Sequence, residues 1–364
     1  MLDRRHLLLT GAGFLLAPAA TLAAAPLAAP FGPDNAVVDA FVKAQDFNGV
    51  VMLGRAGKPI YARAFGLADF EAARPATVDT VYAIASISKW LTSATILKLV
   101  EAGKLSLDAP ITTYLPDYRA DTGAKVTLRR LMSNSSGVPN GFSAATKADP
   151  AVVKIRLSTR EAVKRFCEGD LAFEPGTRFD YALTNWIIVV AIVEAVTGLP
   201  FQVAIREITL GPLGLQATRA DDATATGALT AIGYTEAKPP VRRPNDRQPY
   251  MAAAGGYFST ASDLLKAAHL IFDTGFLSPA SQKSLRTIEV ASDHYALGGR
   301  IWTLAIGGKS HPAGWETGNT AGYRSVLGHR FDTRETVVIL NNTSMSQRTL
   351  DLFANSLFGV APPA

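Results

Sequence analysis

Apolar residues fall in short, strand-like runs toward both ends of the chain and in helix-spaced runs through its middle. Residues 47–53 (Phe-Asn-Gly-Val-Val-Met-Leu) and 59–65 (Pro-Ile-Tyr-Ala-Arg-Ala-Phe) read as two strands, with Arg55-Ala56-Gly57-Lys58 as the turn of a β-hairpin. Apolar positions at Trp90, Leu91, Ala94, Ile96 and Leu97 predict a helix over 88–102, ended by Gly103. From about 106 to 250 turns multiply and helical patterns dominate, as at 159–168 and in the almost wholly apolar stretch 186–196. The latter is too short to span a membrane and reads as a buried helix. Residues 238–249, polar and proline-rich, read as a long surface loop. Beyond it, 263–272 is helical, strand signals return at 300–305, 323–329 and 335–340, and a last helix is expected over 348–357. This order predicts an α+β fold: an antiparallel sheet flanked by helices, formed jointly by 30–105 and 251–364, with a mainly helical domain, 106–250, inserted.

The N-terminus stands apart. Arg4-Arg5 precedes Leu7, Leu8 and Leu9, a long uncharged stretch follows, and small residues close it between Ala23 and Ala29. This pattern reads as an export signal over 1–25, twin-arginine-like, and leads to an expectation of a periplasmic or secreted protein without a stable membrane partner after cleavage. An uncleaved N-terminal anchor is the alternative.

With 48% hydrophobic and 18% charged residues, the chain has ample material for a core, which excludes disorder. The net charge of +5 is spread along the chain, so no basic run points to nucleic acid. One cysteine and five histidines are too few for a disulfide framework or a zinc ribbon, and no metal or cofactor is expected. Cys167 reads as a small buried hydrophobe. No Gly-x-Ser-x-Gly elbow and no phosphate-binding glycine loop occurs.

The candidate chemistry begins at Ser86-Ile87-Ser88-Lys89, where the predicted helix starts. A serine and a lysine three residues apart share a helix face, and a desolvated lysine can act as base for the hydroxyl. Taken alone, the tetrapeptide reads rather as a helix-capping serine beside a solvated lysine.

Its surroundings are more specific. Phe47-Asn48-Gly49-Val50, Ala64-Phe65-Gly66-Leu67-Ala68-Asp69 and Asp79-Thr80-Val81-Tyr82-Ala83-Ile84-Ala85 lead into the tetrapeptide. Leu99-Val100-Glu101-Ala102-Gly103-Lys104-Leu105, Leu131-Met132-Ser133-Asn134-Ser135-Ser136-Gly137 and Ala254-Gly255-Gly256-Tyr257-Phe258-Ser259 follow it. In this order, across most of 45–342, they resemble the serine β-lactamase-related family. That family includes class C β-lactamases, D-alanyl-D-alanine carboxypeptidases, D-aminopeptidases and family VIII carboxylesterases. The resemblance implies a β-lactamase/transpeptidase-like fold, with Ser86 as the acylated nucleophile and Lys89 as its partner. It also maps the family's tyrosine onto Tyr181, after Glu174-Pro175-Gly176-Thr177-Arg178-Phe179-Asp180. It assigns the oxyanion hole to the backbone amides of Ser86 and Asn319, and substrate contacts to Leu183, Trp315, Glu316, Thr317 and Gly318.

Two of the family's three motifs are altered here. Leu183 replaces the asparagine of Tyr-x-Asn and offers no hydrogen bond to an acyl-amide group, which leans toward an ester substrate. In Trp315-Glu316-Thr317-Gly318, Glu316 stands where a lysine or histidine is usual. A glutamate there is expected to repel anionic β-lactams, to attract an amine, or to pair with a nearby cation; if Trp315 faces the site instead, this argument lapses. The expected function is a metal-independent serine hydrolase acting on a small ester, amide or lactam, most simply as a carboxylesterase or acyltransferase. The alternatives are a D-aminopeptidase, D-Ala carboxypeptidase or weak β-lactamase, and a catalytically silent cell-wall-binding protein.

Overall fold

The computed structural model describes residues 31–32, 35–220, 229–244, 248–320 and 322–361. The export-signal reading concerns residues 1–25, outside these. Chain contacts group 32–364 as one compact unit.

Helix α1 (Asn35–Gln45) leads into strands β1 (Gly49–Arg55) and β2 (Lys58–Phe65), the expected hairpin. Helix α2 (Ser88–Glu101) follows, with Gly103 at φ 70° just beyond its cap. The helical middle includes α3 (Thr159–Phe166) and α4 (Leu183–Thr197). Helix α5 (Ala261–Asp273) then precedes four strands, β3 (Arg300–Ile306), β4 (Lys309–Thr320), β5 (Tyr323–Arg330) and β6 (Glu335–Asn341), and the closing helix α6 (Gln347–Leu357). The strands form an antiparallel sheet in the order β2-β1-β6-β5-β4-β3. The pairing of β1 with β6 joins the two ends of the chain in one sheet, as the strand–helix order predicted.

Burial explains which segments were easy to read. Strand β6 is buried at every position, because helices cover both faces of the sheet centre, so its middle, Val337-Val338-Ile339-Leu340, appears as an unbroken apolar run. Helix α4 is apolar nearly all round, the pattern of a helix enclosed by protein, and α2 is buried nearly all round although half of its residues are polar. Among the described residues no single helix is long and apolar enough to cross a membrane. Gly54 sits at a register shift in the β1–β2 ladder, where an added Cβ would lie 2.5 Å from Leu265 of α5, so helix and sheet approach closely there. Cys167 is fully buried; burial pushes its thiol up, in keeping with a packing role.

Three features differ from the sequence reading. The 238–249 loop contains part of a short ribbon, Tyr234–Ala237 against Pro240–Arg242. Helix α1 was not anticipated; it buries little of itself, but Phe41 stacks on Phe353 of α6 at 3.7 Å. Strand β4 is long, carrying the third motif at its C-terminal end.

Leu340, fully buried at the sheet centre, and Ile60, 49% exposed on the edge strand β2, make a controlled pair. Leu340→Ala is expected to cost about 2–5 kcal/mol in denaturant unfolding. Ile60→Ala is expected to stay within about 0.5 kcal/mol.

Candidate active site

Ser86 lies in a single 3-10 turn, Ala85–Ile87, that runs straight into α2. The residue before it, Ala85, has φ 45°, a left-handed conformation unfavourable for any residue with a Cβ. Neighbours from several segments hold that turn. Ser88 Oγ donates to the Ala85 carbonyl at 2.5 Å, and the Tyr257 amide donates to Ser88 Oγ at 3.1 Å. Ser325 Oγ of β5 donates to the Ile84 carbonyl at 3.0 Å, and the Ile84 amide to the Tyr257 carbonyl at 3.0 Å.

Strand β4 presses on the same turn. A Cβ at Gly318 would lie 2.3 Å from the Ile84 carbonyl oxygen and 2.0 Å from Ser325 Oγ, so only glycine permits this approach. The β3–β4 ladder ends at Arg300 opposite Trp315, leaving Glu316 to Thr320 paired on the β5 side alone. Asn319 follows Gly318 on this stretch. The two segments carrying the proposed oxyanion amides, those of Ser86 and Asn319, therefore face each other.

Lys89 is completely buried. Its Nζ donates to Ser86 Oγ at 2.9 Å and to the Ala254 carbonyl, and lies 4.9 Å from the Tyr181 ring centroid and 5.5 Å from that of Trp186. Tyr181 Oη donates to Ser86 Oγ at 2.7 Å. The half-exposed serine thus sits within hydrogen-bond reach of two groups able to carry its proton.

Tyr181 is held from behind by residues for which the sequence offered little signal. The Asp180 amide donates to the Asn134 carbonyl at 2.8 Å. Asn185 Nδ2 donates to Asn134 Oδ1 at 3.1 Å, and Ser136 Oγ to Asn185 Oδ1 at 2.6 Å. Asn185, two residues beyond Leu183 and so on another face of the helix, is therefore turned into this buried network. The rings of Phe179 and Tyr295 flank Tyr181 at 6.4 and 6.2 Å. Leu183 opens α4, half-buried against the core.

The choice between Glu316 and Trp315 is settled by strand alternation. Since Gly318 abuts the nucleophile turn, Glu316 shares its face and Trp315 and Thr317 take the other. Trp315 packs 6.2 Å from the Phe358 ring, and with Thr317 lines an open groove of about 650 Å³ against Asp351 and Asn355 of α6. Of the expected substrate contacts, Trp315 and Thr317 thus direct their side chains away from the nucleophile turn, while the Thr317 backbone belongs to the stretch open on its β3 side.

Glu316 is 1% exposed, and Arg300 Nη1 stands 3.5 Å from its Oε2. Burial raises its carboxyl to about 7, while Arg300 and Lys89 pull the other way without overcoming it. Arg300 also lies over the Tyr295 ring at 5.2 Å. Burial pushes the Tyr295 hydroxyl up, with Glu316 and Tyr181 adding to the effect. Neither Arg300 nor Tyr295 belongs to a motif, and only the cross-strand register places Arg300 here.

A family model described as Beta-lactamase matches residues 35–355. The chain is 30% identical over 295 residues to esterase EstB of Burkholderia gladioli, covering 71% of this chain and 73% of that protein. It is 28% identical over 253 residues to penicillin-binding protein 4 of Amycolatopsis lactamdurans, covering 66% and 63%. The solved D-amino acid amidase of Ochrobactrum anthropi SV3 shares the fold with a TM-score of 0.74 at 21% identity, covering 89% of this chain and 96% of that one. The chain belongs to the beta-lactamase family. It is a serine hydrolase, and its β-lactamase/transpeptidase-like fold is the one expected from the motifs.

Two outcomes follow from this geometry. Gly318→Ala is expected to lower kcat/KM at least about tenfold, because the clash with the Ile84 carbonyl displaces the nucleophile turn; ester hydrolysis alongside a melting curve measures it. Glu316 has a folded pKa raised above its unfolded value, so its stabilising contribution is complete below the unfolded pKa of about 4.3 and is lost as pH rises to about 7. Relative to wild type, Glu316→Gln is expected to gain on the order of 1–3 kcal/mol between about pH 5 and about pH 8 in urea unfolding.

Proposed function

We propose that this protein cleaves small carboxylic esters, by hydrolysis or by acyl transfer to an alcohol, through an acyl-enzyme on Ser86. The observation that carries the reading is Ser86 Oγ held between Lys89 Nζ at 2.9 Å and Tyr181 Oη at 2.7 Å, with Leu183 leaving no amide to recognise a peptide-like acyl group. Ser86 Oγ attacks the ester carbonyl while its proton passes to the Tyr181–Lys89 pair. The carbonyl oxygen takes the negative charge, facing the Ser86 and Asn319 amides. Collapse expels the alkoxide, which leaves with that proton. Water, losing a proton to the same pair, then attacks the acyl-enzyme and releases the acid and free Ser86. The esterase relative supports this reading.

A second reading, an amide bearing a free amine, would place the substrate ammonium against the Glu316 carboxylate in competition with Arg300. The silent-binder alternative is set aside, since the nucleophile and both proton carriers are joined by hydrogen bonds. The leader-like sequence of 1–25 supports action in the periplasm or outside the cell, which fractionation of expressing cells tests.

Purified protein is expected to release p-nitrophenol from short acyl esters. Ser86→Ala should abolish turnover, and Tyr181→Phe should reduce kcat by about 10²–10⁴. Faster turnover of a chromogenic cephalosporin or a D-amino acid amide than of any ester would overturn the ester assignment.

A further inference from the structure

Beside the nucleophile lies an ion pair that the reaction as written does not use. Glu316 projects from β4 on the face shared with Gly318, and Arg300 reaches it from the start of β3. The Arg300 side chain is 27% exposed and lies over Tyr295, whose ring is packed edge-on against Tyr181. The pair therefore touches the catalytic tyrosine through one intervening ring, beside the stretch of β4 that has no partner on its β3 side. Its two opposite charges stand at the end of that stretch, where the β3–β4 ladder stops at Arg300 opposite Trp315.

We propose that the Arg300–Glu316 pair is a charge-neutral specificity element that makes the site select acyl groups without net charge, and that removing either member redirects selection toward the opposite sign. The inference rests on the ester reading above and names its substrate class. A carboxylate-bearing acyl group meets Glu316, an ammonium-bearing one meets Arg300, and an uncharged one meets neither as an unmatched charge. In a site sheltered from water, one unmatched charge at this range is worth about tenfold or more in kcat/KM.

Protonation provides a test that needs no substitution. The groups around Glu316 are Lys89 from α2, Arg300 from β3, Tyr295 and Tyr181 from their loops, and Asp351 from α6, itself raised to about 6 by burial. As pH falls through the range in which Glu316 takes up a proton, Arg300 loses its counter-charge, and anionic acyl groups should gain on neutral ones.

The experiment compares kcat/KM for the p-nitrophenyl esters of butyrate, succinate as its hemiester, and 4-(trimethylammonio)butyrate. In wild type the hemisuccinate-to-butyrate ratio should rise from about pH 8 to about pH 6. In Glu316→Gln that ratio should be about tenfold higher at the upper pH, and its slope should vanish. In Arg300→Gln, assayed at about pH 9 because losing the arginine raises Glu316 further, the cationic ester should gain by a similar factor. The double variant should return both ratios to within about twofold of wild type. Ratios unmoved by pH in wild type and by both single substitutions would overturn the proposal. Rates of Ser86 modification by neutral, carboxylate-bearing and ammonium-bearing fluorophosphonates, read by mass spectrometry, give the same ratios. They answer the question even where no ester turns over, an outcome that would refute the ester reading alone.

Discussion

The turn that carries Ser86 holds an alanine in the left-handed backbone region, and it persists because β4, β5 and the Tyr257 segment grip it from three directions. A strain of about 1–3 kcal/mol at Ala85 is sustained by contacts that are already part of the core. Gly318 is the point at which sheet and nucleophile touch, and the alternation of β4 follows from it. Once Gly318 must face the turn, Glu316 is drawn to the catalytic side and Trp315 is sent to the other.

Lys89 adds a second constraint. An ammonium with no exposure to water is expensive to bury unless its donors are satisfied. Here the Ala254 carbonyl, the Ser86 hydroxyl and two aromatic faces surround it, while Glu316 supplies negative charge without a direct bond. The Ala252–Gly255 stretch is made of small residues, and its backbone thereby comes close enough to accept from the lysine. The same packing that desolvates Lys89 also lifts the Glu316 carboxyl, so the base and the charge pair beside it share one cause.

Much of the framework was legible in the chain. The hairpin, α2 with its terminating glycine, the buried α4 and the return to strands after 300 follow from local residue pattern and turn residues. Helix α1 escaped notice because its burial depends on stacking against α6, more than three hundred residues away. Ser86, Lys89 and Tyr181 were found through their motifs, and the structure joins them by hydrogen bonds. Asn134 and Asn185 carry no local mark of their role, since an amide in a loop and one in a helix look alike until the fold brings them within 3.1 Å.

The sequence by itself determined the class of chemistry: a serine with a lysine one helical turn away, a tyrosine far along the chain, and two altered motif positions. These are properties of residue type and spacing. Only the tertiary structure decided which way residue 316 faces and what meets it there. Strand alternation is two-fold and unsigned until one residue is pinned, and the Gly318 contact pins it. Arg300, from a neighbouring strand, then turns a lone buried carboxylate into a charge pair, a change that cross-strand register creates and that no motif records.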